Sequence, residues 1–93
     1  MEDREFEQLA EDIMVRIESV LEARGIDVDL LPGGVLQADI IPKGEMIINR
    51  HAPSQEIWVA APSGAFHFRY DGISWRDTRD GEELMGRLHL LID

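Results

Sequence analysis

Residues 21–34 read LEARGIDVDLLPGG, and the hydrophobic period of the chain changes within them. Upstream, apolar residues recur every three to four positions over residues 3–24, which predicts a helix with one buried face. Gly25 follows at the position where a glycine commonly ends a helix. Downstream, aliphatic and aspartate residues alternate from Ile26 to Leu30, which is typical of a half-buried strand. Pro32-Gly33-Gly34 then predicts a turn.

The period of two continues beyond this turn. Further turn signals divide the chain into five more predicted strands, at Val35–Ile41, Glu45–Arg50, Glu56–Ala61, Ala65–Tyr70 and Ile73–Asp77. An apolar stripe from Leu84 to Ile92 predicts a second helix with Asp80 as its N-cap. Because short connections favour antiparallel neighbours, the sequence predicts a single α+β domain over residues 1–93. We expect a two-layer sandwich, with two terminal α-helices packed on one face of an antiparallel sheet of about six short strands.

The composition of the chain excludes several classes of function. Its 93 residues carry 19 acidic and 9 basic side chains, a net charge of −10, which argues against nucleic acids and anionic membranes as partners. Cysteine is absent, so disulfides, thiolate metal sites and cysteine nucleophiles are excluded. The three histidines lack metal-ligand spacing, and no serine has a base arranged near it. We therefore expect no enzyme, and the acidic N-terminal residues predict a cytoplasmic protein.

The acidic residues concentrate in the first third of the chain. Residues 1–31 hold ten acids and three arginines. On the predicted helix, Glu7, Glu11, Glu18 and Glu22 share the flank away from the buried face, without an interleaved lysine. If the first strand lies beside this helix, these four residues form one acidic ridge with the two aspartates of that strand, Asp27 and Asp29. Two interpretations stay open, a solvated helix face and a binding surface for cations or a basic protein.

A second candidate surface lies on the predicted strand that contains Trp58. Ile57 and Val59 alternate with Glu56 and Trp58, so Trp58 would face the side of the sheet away from the helices. An exposed tryptophan is a frequent interface anchor, although it could instead pack flat over neighbouring strands. Trp75 is predicted in the core. The rings of the next strand are predicted there as well, namely Phe66, Phe68 and Tyr70.

Several short motifs of this chain resemble the frataxin family, most closely its bacterial branch. They occur in order and with similar spacing over residues 5–84: Glu5-Phe6, Leu9-Ala10, Asp27-Val28-Asp29, Gly33-Gly34-Val35-Leu36, Ile47-Ile48-Asn49-Arg50, Pro53, Ile57-Trp58, Ala60, Ser63-Gly64, Phe66-His67-Phe68, Trp75, Arg79, Gly81 and Leu84. The Asn-Arg…Pro…Trp segment followed by Gly-x-Phe-His-Phe is the most specific part. The resemblance implies the same order of elements as the periodicity predicts.

The resemblance also implies a function. Frataxins are acidic proteins of iron–sulfur cluster assembly that bind ferrous and ferric iron weakly through carboxylates of the first helix and strand. They bind the cysteine desulfurase and the scaffold protein, and they modulate the rate of cluster formation. By similarity, Glu18, Glu22, Asp27 and Asp29 match the acidic ridge. The remaining matches lie on the sheet surface that contacts the assembly complex, namely Asn49 and Trp58, with His51, Glu56 and His67 beside them.

Some ridge positions depart from the family pattern. Ser19, Ala23 and Leu31 stand where bacterial relatives often carry acids, so the ridge is thinner on its strand side. Glu7 and Glu11 offset this toward the N-terminus, and we include them among the predicted metal ligands.

Three functions therefore compete. The first is an interaction protein that docks on the cysteine desulfurase and scaffold, as a monomer in the absence of iron. The second is an iron donor with weak, surface-bound iron as its cargo, for which slow oxidation of ferrous iron would be a side effect. The third is an acidic decoy that binds an unrelated basic protein surface and has no need of Trp58.

Overall fold

A computed structural model describes all residues of the chain, 1–93. A single six-stranded antiparallel sheet has its strands in the order in which they follow along the chain, with one helix before it and one after it. The elements are α1 (Asp3–Ala23), β1 (Asp27–Leu31), β2 (Val35–Ile40), β3 (Gly44–His51), β4 (Glu56–Ala61), β5 (Gly64–Tyr70), β6 (Trp75–Asp77) and α2 (Leu84–Ile92), with a short 3₁₀ turn (Ala52–Ser54) between β3 and β4. The predicted α+β sandwich is confirmed.

Both helices cover the same face of the sheet, and the core lies between the two layers. The buried face of α1 contains Phe6, Ala10, Ile13, Ile17 and Leu21, at the predicted helical spacing. Together with aliphatic residues of β2–β4 and of α2, these side chains form one apolar cluster. The opposite face of the sheet carries no helix, and we call it the open face. No helix of the chain is both long and apolar enough to span a bilayer.

Two predicted element boundaries are wrong by more than one residue, for reasons that lie in side-chain hydrogen bonds. β6 begins at Trp75 because the Asp71 carboxylate accepts hydrogen bonds of 2.8 Å from the backbone N–H groups of Ile73 and Ser74, which holds this segment in a turn. Glu83, and not Asp80, is the N-cap of α2, since its carboxylate accepts from the N–H groups of Met85 and Gly86.

The burial of the predicted apolar residues follows their position in the sheet. Trp75 is 4% exposed and Phe68 is fully buried, as predicted. Phe66 is only partly buried, and the Arg87 guanidinium lies 4.9 Å from its ring centroid. Leu30 is 69% exposed although it pairs with the buried Leu36, because β1 is an edge strand with no neighbour on one side.

Candidate functional site

The acidic flank of α1 retains two carboxylates that no cation of the chain neutralises. Glu22 is exposed and Glu18 half-buried. Neither forms an ion pair, and the same holds for Asp27 and Asp29 of β1, which are both exposed. Such uncompensated charges of one sign attract cations or a basic surface. These four residues are the available part of the predicted ridge, and we call them the free ridge.

Arg50 occupies the other two carboxylates of the predicted ridge. Its Nη1 donates to Oε2 of Glu7 and its Nη2 to Oε2 of Glu11, both at 2.9 Å. Burial disfavours the charged guanidinium, but the hydrogen bonds from Arg50 to Glu11 and Glu7 outweigh this effect and raise its pKa above the ordinary value. Glu7 and Glu11 were predicted as metal ligands, yet in the fold they fasten α1 to β3. The sequence contained a signal for this contact. Arg50 comes two residues after the buried Ile48 on the same strand, so its side chain lies on the side of the sheet that faces the helices.

The free ridge continues onto the open face of the sheet through residues that the sequence analysis missed. Asp27 pairs in register with Asp39, and Asp39 pairs with Glu45 on β3. Paired residues of antiparallel strands lie on the same face, so these three carboxylates form a row at one end of the open face. Asp39 could have been found from the sequence, because pairing residues outward from the Pro32-Gly33-Gly34 turn places it opposite Asp27.

The carboxylates of the predicted metal set do not converge. No group of three histidine, aspartate or glutamate side chains comes close enough to hold a metal ion. Neighbouring pairs such as Glu18 and Glu22, one helical turn apart, can supply oxygen ligands only together with water. Their arrangement therefore suits a weakly held, exchangeable hard cation and not a closed structural site.

Three aromatic rings form a stack at the centre of the open face. The Trp58 indole lies between two imidazoles, with ring centroids 3.9 Å from His51 and 4.4 Å from His67 and interplanar angles of 9° and 12°. Register places His67 of β5 directly opposite Trp58, whereas His51 reaches the indole diagonally from β3, where it pairs with Glu56 and Asn49 is the direct partner of Trp58. Both faces of the indole are thus covered, and Trp58 is half-buried. Neither sequence interpretation anticipated this: the indole is neither a free anchor nor flat over the strands.

Glu56 lies beneath this stack, and not at its surface as the sequence analysis expected. It is 6% exposed and accepts hydrogen bonds from Trp58 Nε1 at 2.8 Å, Ser54 Oγ at 3.1 Å and Arg69 Nη2 at 2.8 Å. Burial opposes ionisation of Glu56, but the hydrogen bonds from Trp58 and Ser54 and the charge of Arg69 prevail, and its pKa lies below the ordinary value. Glu56 is therefore a buried carboxylate anion that supports the stack.

The chemistry of the open face changes along the direction of the strands. The acidic row lies at one end of the strands, followed by an apolar row of Ile47, Ala60 and Ala65 in register. The aromatic stack comes next, and Arg69 pairs with Arg76 at the far end. Asn49, half-buried beside Trp58, donates from Nδ2 to the carbonyl of Arg50 at 3.4 Å. An acidic edge beside an aromatic centre has the composition of a protein-docking surface.

Comparison with known proteins gives a consistent result. A family model described as a frataxin-like domain matches residues 1–93. The chain is 53% identical over 93 residues to an iron–sulfur cluster assembly protein CyaY of Dechloromonas aromatica, covering 98% of this chain and 89% of that protein. It is also similar to the frataxin structure of Psychromonas ingrahamii (TM-score 0.87, 32% identity, 99% of this chain and 89% of that chain). A trimeric yeast frataxin structure, complexed with ferrous iron, matches with a TM-score of 0.72 and 29% identity, over 97% of this chain and 81% of that chain.

Proposed function

The chain belongs to the frataxin-like family, and we propose that it serves iron–sulfur cluster assembly by docking on the cysteine desulfurase and its scaffold protein. In this proposal the free ridge binds a basic patch of the desulfurase, and the open face lies against the scaffold. The protein modulates the rate of cluster formation in the bacterial cytoplasm and is not itself an enzyme. As in its relative from Dechloromonas aromatica, the assembly of iron–sulfur clusters is the process that it serves.

The observation that carries this proposal is the set of four uncompensated carboxylates at the edge of the fold. Glu18, Glu22, Asp27 and Asp29 have no ion-pair partner within the chain, whereas Glu7 and Glu11 are bound to Arg50. Repulsion among these like charges lowers the stability of the fold, and a basic partner or a cation bound to them would relieve that repulsion. Charges of one sign steer a basic partner into place and make the association sensitive to salt.

Contact with the scaffold is supported by the open face. A preorganised aromatic centre flanked by Asn49 and a row of apolar side chains resembles the buried centre of a protein interface. In this proposal Asn49, His51, Trp58 and His67 touch the partner, and Glu56 acts from beneath them. Because the free ridge and the open face share the β1 edge, one partner assembly can engage both.

Iron is a cargo in this proposal. The carboxylate pairs of the free ridge provide hard oxygen ligands without a histidine or thiolate that would select iron from other cations. We expect a dissociation constant of roughly 10⁻⁴ M or weaker, with competition from excess Mg²⁺ or Ca²⁺. Ferrous binding that resists such competition would contradict this part of the proposal and favour a dedicated donor.

The test is calorimetric titration of a purified bacterial cysteine desulfurase with the wild-type protein at low and at high salt. The variant Glu18→Lys/Glu22→Lys reverses two charges of the free ridge and shifts the net charge from −10 to −6. The variant Glu5→Lys/Asp12→Lys makes the same shift on the opposite flank of α1 and serves as the matched control.

We expect salt-sensitive binding that is lost in the ridge variant and largely kept in the control. Equal loss in both variants would reduce the effect to net charge. Absence of wild-type binding at either salt would refute docking on the desulfurase. An acidic decoy for an unrelated basic protein would then be the better account, and it predicts that Trp58→Ala leaves partner binding intact.

A further inference from the structure

Glu56 is one of only two charged residues buried in this fold, the other being Asp77. Asp77 accepts a hydrogen bond of 2.7 Å from the backbone N–H of Arg79 and so belongs to the turn before α2. Glu56 has no such local backbone role, since all its hydrogen-bond donors are side chains. Burying a carboxylate is unfavourable unless several donors satisfy it, and an apolar residue would stabilise the sheet at lower cost. The placement of this charge therefore needs another explanation.

The hydrogen bonds of Glu56 account for the orientation of Trp58. Its Oε1 accepts from the indole N–H at 2.8 Å, which fixes one end of the indole. The parallel imidazoles of His51 and His67 cover the two faces of the same ring. With its N–H occupied and its faces covered, the indole can offer only its outer rim to another molecule.

Glu56 also organises the neighbours of Trp58. Ser54 Oγ donates to Glu56 Oε1 at 3.1 Å and lies 2.7 Å from Nδ1 of His51, so the first imidazole is connected to the carboxylate through one hydroxyl. His67 Nδ1 lies 4.0 Å from the same carboxylate oxygen. On the other side, Oε2 accepts from Arg69 at 2.8 Å, a charge-assisted bond that holds the carboxylate in place. One buried group thus contacts or indirectly holds every ring of the stack.

We propose that Glu56 is the positioning residue of the open face, which holds Trp58 edge-on between the two imidazoles so that the rims of the three rings form the partner-binding element. This inference rests on the proposed function for the identity of the partner, and not for the role of Glu56 within the fold. Glu56 itself is too buried to contact a partner and acts through Trp58.

Orientation of the indole is tested without any partner. The chain has two tryptophans, so its nitrogen-15 correlation spectrum contains two indole N–H signals. We expect Glu56→Ala to shift the Trp58 signal and to broaden it, because the indole loses its acceptor. The Trp75 signal reports an intact core and stays in place, since Trp75 packs against Phe6 and Tyr70 away from the stack. Glu56→Gln, whose amide oxygen can still accept from the indole, restores the Trp58 signal to near its wild-type position.

Binding to the purified desulfurase–scaffold complex is then measured for a double-mutant cycle. Trp58→Phe keeps an aromatic ring in the stack and removes the N–H donor together with part of the stacking area. We expect Glu56→Ala to weaken binding about tenfold in the wild-type background, as for loss of a buried charge-assisted hydrogen bond. In the Trp58→Phe background the same substitution costs clearly less, since the indole N–H is already absent and only the link to His51 through Ser54 and the contact with His67 remain to be lost.

The outcomes separate this inference from the proposed function. An unchanged Trp58 signal in Glu56→Ala overturns the positioning role, whatever the binding result. A shifted signal with unchanged affinity, in a complex that the wild type does bind, overturns the assignment of the ring rims as the binding element. Equal losses in both backgrounds mean that Glu56 acts independently of Trp58, which also overturns it. If the wild type does not bind the complex, the proposed function and the ring-rim assignment fail together, and the signals alone decide the positioning role.

Discussion

Replacing Arg50 with methionine tests the connection between α1 and β3. The substitution keeps an unbranched apolar stem and removes the guanidinium that binds Glu7 and Glu11 at 2.9 Å each. The Arg50 side chain is 18% exposed, whereas the two glutamates are 51% and 61% exposed and can be rehydrated. Each pair is then worth about 0.5–1 kcal/mol, well below the roughly 3–5 kcal/mol of a broken, fully buried pair.

We therefore expect Arg50→Met to lower the free energy of unfolding by about 1–2 kcal/mol. For a domain of this size, that loss corresponds to a melting temperature lower by about 5–15 °C. Circular dichroism with urea and with heat measures both quantities. Arg16→Met removes one positive charge from an exposed arginine of α1 that forms no ion pair, and it is the matched control.

The same substitution has a second consequence at the acidic ridge. Freed from Arg50, Glu7 and Glu11 join the free ridge, so Arg50→Met should bind Ca²⁺ or Mn²⁺ more tightly than the control, although both variants carry the same net charge. Equal melting temperatures and equal cation affinities in the two variants would refute the assignment of Arg50 as the group that fastens α1 and neutralises two ridge carboxylates.

Two further predictions concern the stability of the fold. Because the pKa of Glu56 is lower in the folded protein than its ordinary value, its ionised form stabilises the fold above that value, and this contribution is lost as the pH falls through the folded pKa. Melting temperatures between pH 7 and pH 3 should therefore fall more steeply for the wild type than for Glu56→Gln, and parallel curves would contradict the buried ion pair. Glu83→Ala should cost about 1 kcal/mol through loss of the α2 N-cap, measured by urea unfolding. Glu82→Ala, one residue earlier and exposed, should cost little, and an equal cost would mean that Glu83 does not cap the helix.

Local patterns in the sequence were sufficient for the elements and their order. The helical period of α1 and the alternation after Gly25 depend on neighbours within four residues, and connections of two to four residues left little choice but antiparallel pairing. The acidic flank of α1 follows from the same local geometry. These features were predictable because each is specified by residues that are close along the chain.

Contacts between distant residues were not predictable in this way. Arg50 meets Glu7 and Glu11 across 43 and 39 positions, and only the packing of α1 on β3 decides that they meet. The stack depends on register, because a shift of β4 by one residue would move Trp58 to the other face of the sheet.

The sequence by itself determined the two layers, the six strands and an excess of negative charge along α1. The tertiary structure alone decided which carboxylates remain free, since a carboxylate is available only if no cation from another element reaches it. It also decided that Glu56 lies beneath Trp58 and not beside it at the surface. Burial of this charge depends on donors from the 3₁₀ turn, from β4 itself and from β5, and the pairing of β4 with β5, not the local sequence, brings the Arg69 guanidinium to the carboxylate.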